Sequence, residues 1–259
     1  MPRSPGSFRP DSRLVQEVRP SPNFGARRGV KRPDLLILHY TGMQDCEAAL
    51  RRLTEKSSEV SAHYLVFEDG RIVQLVPEKK RAWHAGVSSW HTYSDINSHS
   101  IGIEVCNAGH DFGYPKFRRR QMQVVIALCK DIVKRNKILP EHVLAHSDVA
   151  PARKQDPGEK FPWHQLHMAG IGHFVRPAKI TRGKKFRRGD TGPAILEAQR
   201  QLAEYGYDIT PSGKFDVTTE EVVTAFQRHF RPRRVDGVLD VSTRATLAKL
   251  LAKRPSHRA

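Results

Sequence analysis

Long apolar runs are missing from this 259-residue sequence. Mean hydropathy is −0.56, and stretches such as Leu35 to Leu38 or Val124 to Leu128 fall far short of the roughly 20 residues a membrane-spanning helix needs. A transmembrane helix is excluded. The opening residues, MPRSPGSFRPDSR, hold no apolar stretch of the roughly 7–15 residues that drives secretion. The sequence as written therefore leads us to expect a cytoplasmic chain, with a periplasmic or cell-envelope location through another route or start site as the alternative. Cysteines are few and odd in number, Cys46, Cys106 and Cys129, and form no CxxC pair. That excludes a disulfide framework or a cysteine-rich metal site, and the three read as buried free thiols in a reducing compartment. Aromatic residues make up only 8% and are not interleaved with basic ones. Lys and Arg outnumber Asp and Glu by 17, but the excess is shared between both halves of the chain. The basic stripe with stacking aromatics of a nucleic-acid binder is therefore absent, and no nucleic-acid partner is expected. Such a charge suits approach to anionic polymers instead.

What is present suffices for two cores, one large and one small. Residues 1–29 are rich in Pro, Ser, Gly and Arg and read as a tail or extended arm. Over 30–176, short strand-like runs (34–40, 62–68, 71–76, 100–106 and 142–146) mix with helical patterns at 46–54 and 117–136. Asp69-Gly70 predicts a hairpin with a type I′ turn. This mixture implies an α/β domain, a mixed sheet flanked by helices. Residues 177–188, PAKITRGKKFRR, read as a basic linker. Three helical patterns follow within 189–253 (193–205, 218–230 and 242–251), a small all-α three-helix domain, and 254–259 is a tail.

Chemistry gathers at the strand ends. His39 closes the first strand, Glu104 lies in Ile101-Gly-Ile-Glu-Val105, and His146 closes the last, with Lys154 and Asp156 soon after. Two imidazoles and one carboxylate leave the fourth tetrahedral position of a zinc ion to water, which is the arrangement of a catalytic rather than a structural site. The spacing alone does not single out a metal, because the three are remote in sequence and form no compact HExxH motif.

Four ordered segments go further: LHYTG at 38–42, AHYLVFEDGRIVQLVPEKKRAWHAG at 62–86, SIGIEVCNAG at 100–109 and AHSDVAPARKQDPG at 145–158. Together they resemble the type 2 zinc amidases, N-acetylmuramoyl-L-alanine amidases related to the peptidoglycan recognition proteins, from about residue 21 to residue 176. The resemblance implies one Zn2+ held by His39, His146 and Asp156, with Glu104 as the catalytic glutamate and Lys154 as the lysine that stabilises an oxyanion. It also implies substrate contacts at His84, Trp83 and Tyr40, and supporting roles around the ligands for Asp148 and His63. The implied reaction is hydrolysis of the amide between N-acetylmuramic acid and L-alanine in peptidoglycan or its fragments. Two alternatives stand beside it: a cytoplasmic 1,6-anhydro-N-acetylmuramyl-L-alanine amidase of muropeptide recycling, and a peptidoglycan recognition protein without activity. The intact ligand set argues against the second.

The C-terminal part carries a repeated loop, Gly213-Lys-Phe-Asp-Val-Thr-Thr219 and Gly237-Val-Leu-Asp-Val-Ser-Thr243, whose glycine permits the turn and whose Asp, Thr and Ser cap the next helix. Residues 187–251 resemble a three-helix peptidoglycan-binding domain. Such a domain would concentrate the enzyme on a polymeric substrate; the alternative is a domain that only stabilises or covers the catalytic half.

Overall fold

The computed structural model describes residues 8–254. The N-terminal arm contributes β1 (Glu17–Val18) and β2 (Phe24–Ala26). There follow β3 (Leu35–Tyr40), α1 (Cys46–Thr54), β4 (Tyr64–Val66), β5 (Ile72–Gln74) and β6 (Lys80–Ala82). Next come α2 (Ile96–His99), β7 (Ser100–Val105), α3 (Arg119–Asn136), β8 (Val143–Ala145), α4 (His146–Val149) and α5 (Trp163–Met168). The C-terminal helices are α6 (Pro193–Tyr205), α7 (Val217–Phe230) and α8 (Val241–Ala252). The architecture is the expected one, a mixed α/β sheet with flanking helices followed by three helices. None of the described helices is long and apolar enough to cross a membrane.

Six strands form the main sheet in the order β1-β5-β4-β7-β3-β8. β4, β7, β3 and β8 run parallel, so their C-terminal ends share one edge of the sheet. Alternation along β3 assigns its two faces: Leu36 and Leu38 pack with Met122, Val125, Cys129 and Ile132 of α3, while Leu35 and Ile37 join a core on the other side. α3 fits this because its apolar residues recur every three to four positions. On α1, the Asp45 carboxylate caps the amides of Glu47 and Ala48, and Leu50 and Leu53 pack over Leu65, Val73 and Leu75.

The hairpin between β4 and β5 departs from the type I′ expectation. Phe67 and Arg71 close a three-residue loop, and of its residues only Gly70 has a positive φ, 95°. This is a type I turn completed by a left-handed glycine, the usual longer hairpin connection.

The cysteines also differ from the reading as three free thiols. Cys46, at the start of α1, forms a disulfide with Cys106, just after β7, across a Cα–Cα distance of 5.7 Å; Cys129 alone is free and buried. Sixty residues separate the partners, a distance at which sequence shows no pairing. The arm is integrated too. β1 adds to the sheet edge beside β5, β2 pairs with β6, and the Arg27 guanidinium hydrogen-bonds the carbonyls of Glu78 and Ser98.

Residues 177–188 form no helix or strand, yet they are pinned. Ala178 exchanges hydrogen bonds with Thr246 and Ser242, and Phe186 bridges Leu239. The three C-terminal helices and the sheet share one core, in which Leu35, Ile37, Trp90 and Val149 meet Leu202, Tyr205, Tyr207 and Phe226. Asp148 of α4 is buried there, accepting from Tyr207 Oη at 2.7 Å and His229 Nδ1 at 2.6 Å. His229 in turn stacks on Trp163 of α5.

Candidate metal centre and cleft

The parallel strand ends bring the predicted donors together. β3 pairs with β7 so that His39 lies opposite Glu104, and with β8 so that Leu38 lies opposite Ala145, the residue before His146. His39 Nδ1, His146 Nδ1 and Asp156 Oδ2 lie 2.9, 3.0 and 3.1 Å from one another, all three residues buried. Donors around a tetrahedral zinc with bonds of about 2.0–2.1 Å would sit roughly 3.3 Å apart, so only a slight relaxation is needed.

Protons on the far side of each ring decide what those atoms offer. His146 Nε2 points at the Ala85 carbonyl, 3.1 Å away, which can only accept. His39 Nε2 points at His84 Nδ1, 3.0 Å away. Burial first, then neighbouring His146, pushes the His39 pKa down to about 4, so its ring is neutral at pH 7. Burial opposes ionisation of Asp156, but the imidazoles of His146 and His39 outweigh it and hold the carboxyl well below the usual carboxylate range. Two imidazole nitrogens and a carboxylate therefore converge on one point, and a cation at their centre would relieve their mutual repulsion.

Around these donors opens a cleft of roughly 510 Å³, lined among others by Tyr40, Arg52, Trp83, Glu104, Arg153 and Lys154. Glu104 Oε2 is shut off from solvent without a hydrogen-bond partner, and burial, with the Asp156 charge adding, raises its pKa well above the glutamate range; Lys154 works the other way. Tyr40 Oη is 3.0 Å from His110 Nδ1. His84 lines the cleft wall, but its ring nitrogens are both engaged, by His39 and by Ser100 Oγ, which leaves neither free for a substrate. His63 stands behind it, accepting from the Gly102 amide and facing the Lys80 carbonyl. Asp148 does hold an imidazole, that of His229 in α7 rather than that of a donor. Reading the sequence missed Ser100, Gly102 and the Ala85 carbonyl, none of which is a residue type that signals chemistry.

A profile for N-acetylmuramoyl-L-alanine amidases matches residues 29–159. The chain belongs to this amidase family. A peptidoglycan-binding-domain profile matches residues 191–247. N-acetylmuramoyl-L-alanine amidase AmiD of Escherichia coli K12 is 40% identical over 243 residues, which cover 88% of this chain and 86% of that protein. The 1,6-anhydro-N-acetylmuramyl-L-alanine amidase AmpD of the same organism is 34% identical over 58% of this chain and 88% of its own length. Among solved structures, the E. coli AmiD complex with the substrate anhydro-N-acetylmuramic acid-L-Ala-D-gamma-Glu-L-Lys superposes with a TM-score of 0.72 at 37% identity, covering 89% of this chain and 98% of that one. AmpDh3 of Pseudomonas aeruginosa with an anhydromuramic pentapeptide gives 0.71 at 34% identity, covering 92% and 96%.

Proposed function

We propose that this amidase is zinc-dependent and cleaves the amide between the lactyl group of N-acetylmuramic acid and L-alanine, accepting peptidoglycan fragments that include anhydromuropeptides. The observation that carries the reading is the convergence of His39 Nδ1, His146 Nδ1 and Asp156 Oδ2 beside the Glu104 carboxyl, which lines the same cleft and whose Oε2 is buried without a hydrogen-bond partner. Zinc bound by these three supplies a Lewis acid and lowers the pKa of water from 15.7 to about 7. Glu104 accepts the proton of the attacking water and returns it to the leaving alanine nitrogen, a task suited to a carboxyl whose pKa has been raised. The Lys154 ammonium, which lines the same cleft, would stabilise the oxyanion of the tetrahedral species. Arg52 and Arg153 add positive charge to a cleft that would receive an anionic stem peptide.

The two superposed complexes, each with an anhydromuropeptide bound, support the fragment reading. The Cys46–Cys106 bridge favours the cell envelope over the cytoplasm, because disulfides persist in oxidising compartments. Digestion of defined anhydro and ordinary muropeptides, read by mass spectrometry with and without chelator, tests the proposal. Release of intact stem peptide starting at L-alanine, abolished by chelator and restored by Zn2+, is expected. Cleavage at another bond, or chelator-insensitive cleavage, would overturn it.

A further inference from the structure

We propose that His84 is a positioning residue for the ligand His39, held in one tautomer by Ser100 at the start of β7, and that Asn97 of the short helix α2 braces the turn whose Ala85 carbonyl sets the tautomer of His146. The inference rests on the metal reading above and adds residues to it.

The direction of each hydrogen bond follows from the chain's fixed end. The Ser100 hydroxyl lies 2.6 Å from the Ile96 carbonyl, which can only accept, so Ser100 donates there. Its oxygen must then accept from His84 Nε2, 3.1 Å away. A neutral imidazole protonated on Nε2 has only a lone pair on Nδ1, and that lone pair receives the proton of His39 Nε2. His39 is left with its own lone pair on Nδ1, aimed at the metal position. The second ligand is set from the same turn. Asn97 Oδ1 accepts from the amides of His84 and Ala85, at 3.0 and 2.8 Å, and so braces the turn in which the next carbonyl, that of Ala85, receives His146 Nε2. Outer partners of this kind hold a ligand's tautomer and ring plane.

Packing makes the relay specific. The His84 ring lies over Gly102, where an added Cβ would stand 2.5 Å from His84 Cγ. Gly102 and Glu104 occupy the same face of β7, so the glycine two residues before the glutamate exists to admit the ring. Although His84 lines the cleft, both its ring nitrogens are held by protein partners, which separates this role from polar contact with a substrate.

The test compares wild type, His84→Ala, His84→Asn and Ser100→Ala as full-length chains. Zinc affinity is measured with Zn2+ alone by chelator competition, and the imidazole tautomers of the zinc-free protein are read by 1H–15N NMR. His84→Ala is expected to weaken zinc binding about 10–100-fold. His84→Asn, whose Oδ1 replaces the Nδ1 acceptor, recovers most of that loss, and Ser100→Ala falls between. In the zinc-free wild type, His39 carries its proton on Nε2; in His84→Ala it populates both tautomers. An unchanged zinc affinity in folded His84→Ala, a change confined to KM, or a wild-type His39 protonated on Nδ1 would each overturn the inference. Should His84→Ala fail to fold, Ser100→Ala and the wild-type tautomer decide the matter. A wild type that binds zinc but cleaves no muropeptide refutes the amidase reading and leaves this one standing.

Discussion

Removing one hydroxyl at the boundary between the sheet and the C-terminal helices tests whether those helices are part of the catalytic scaffold. Asp148, 1% exposed, accepts from the Ala145 amide, from Tyr207 Oη and from His229 Nδ1. Tyr207→Phe keeps the ring packed against Trp90, 4.9 Å between centroids, and deletes a single bond to a buried carboxylate. A hydrogen bond to a charged group contributes about 1.5–3 kcal/mol. For a chain of this size each kcal/mol moves Tm by about 2–4 °C, so calorimetry should show a fall of about 3–12 °C. The control is Ser89→Ala, which removes an exposed bond to Asp208 across the same boundary and should cost no more than about 0.5 kcal/mol. Equal shifts for the two variants would refute the reasoning, since Asp148 would then gain nothing from its partner in the helical domain.

Glu104→Gln should lower kcat about 10²–10⁴-fold while zinc binding is retained; near-normal turnover would remove Glu104 from the mechanism. Because the raised Glu104 carboxyl must be ionised to act, kcat/KM should climb with pH through a limb above the ordinary glutamate range. Lys154 pulls that carboxyl down, so Lys154→Met should move the limb to higher pH, measured on a soluble muropeptide. Replacing Cys46 and Cys106 by Ser frees a loop of 60 residues and should cost about 3–4 kcal/mol in denaturant unfolding; no change would show the pair unbridged in solution. Deleting residues 178–259 strips the cover from Trp90 and Val149 and should abolish cleavage of soluble muropeptides together with that of sacculi. Loss on sacculi alone would mark the helices as a tether.

Much of this was legible in the sequence because local pattern decides it. The apolar run at Leu35 to Leu38 and the periodicity of Met122, Val125, Cys129 and Ile132 gave β3 and α3, and the expected range for α1 coincides with Cys46–Thr54. The repeated loops ahead of α7 and α8 announced those helices to within a residue, although Asp216 and Asp240 alone are the caps and the Thr and Ser positions expected to share that task lie inside the first turns. The donors His39, His146 and Asp156 were legible through motif resemblance, and β3, β7 and β8 supply the geometry that brings them together. What escaped depends on remote partners. β1 and β2 are too short to show periodicity and exist because β5 and β6 offer edges. The Cys46–Cys106 pair and the seating of Asp148 under Tyr207 and His229 are tertiary contacts with no local signature. His84 was expected to contact substrate because the motif places it at the cleft; the positioning role proposed for it rests on the directions of its hydrogen bonds, which no local pattern shows.

The burial of Asp148 has a consequence for the order in which this chain can complete its fold during synthesis. The turn bearing His146 is anchored by Tyr207, just after α6, and by His229 of α7, the latter 81 residues downstream of Asp148. A ribosome that has already delivered His39, His146 and Asp156 has still to deliver two of the three groups that hold Asp148, and the seat of that carboxylate is complete only once α7 has emerged.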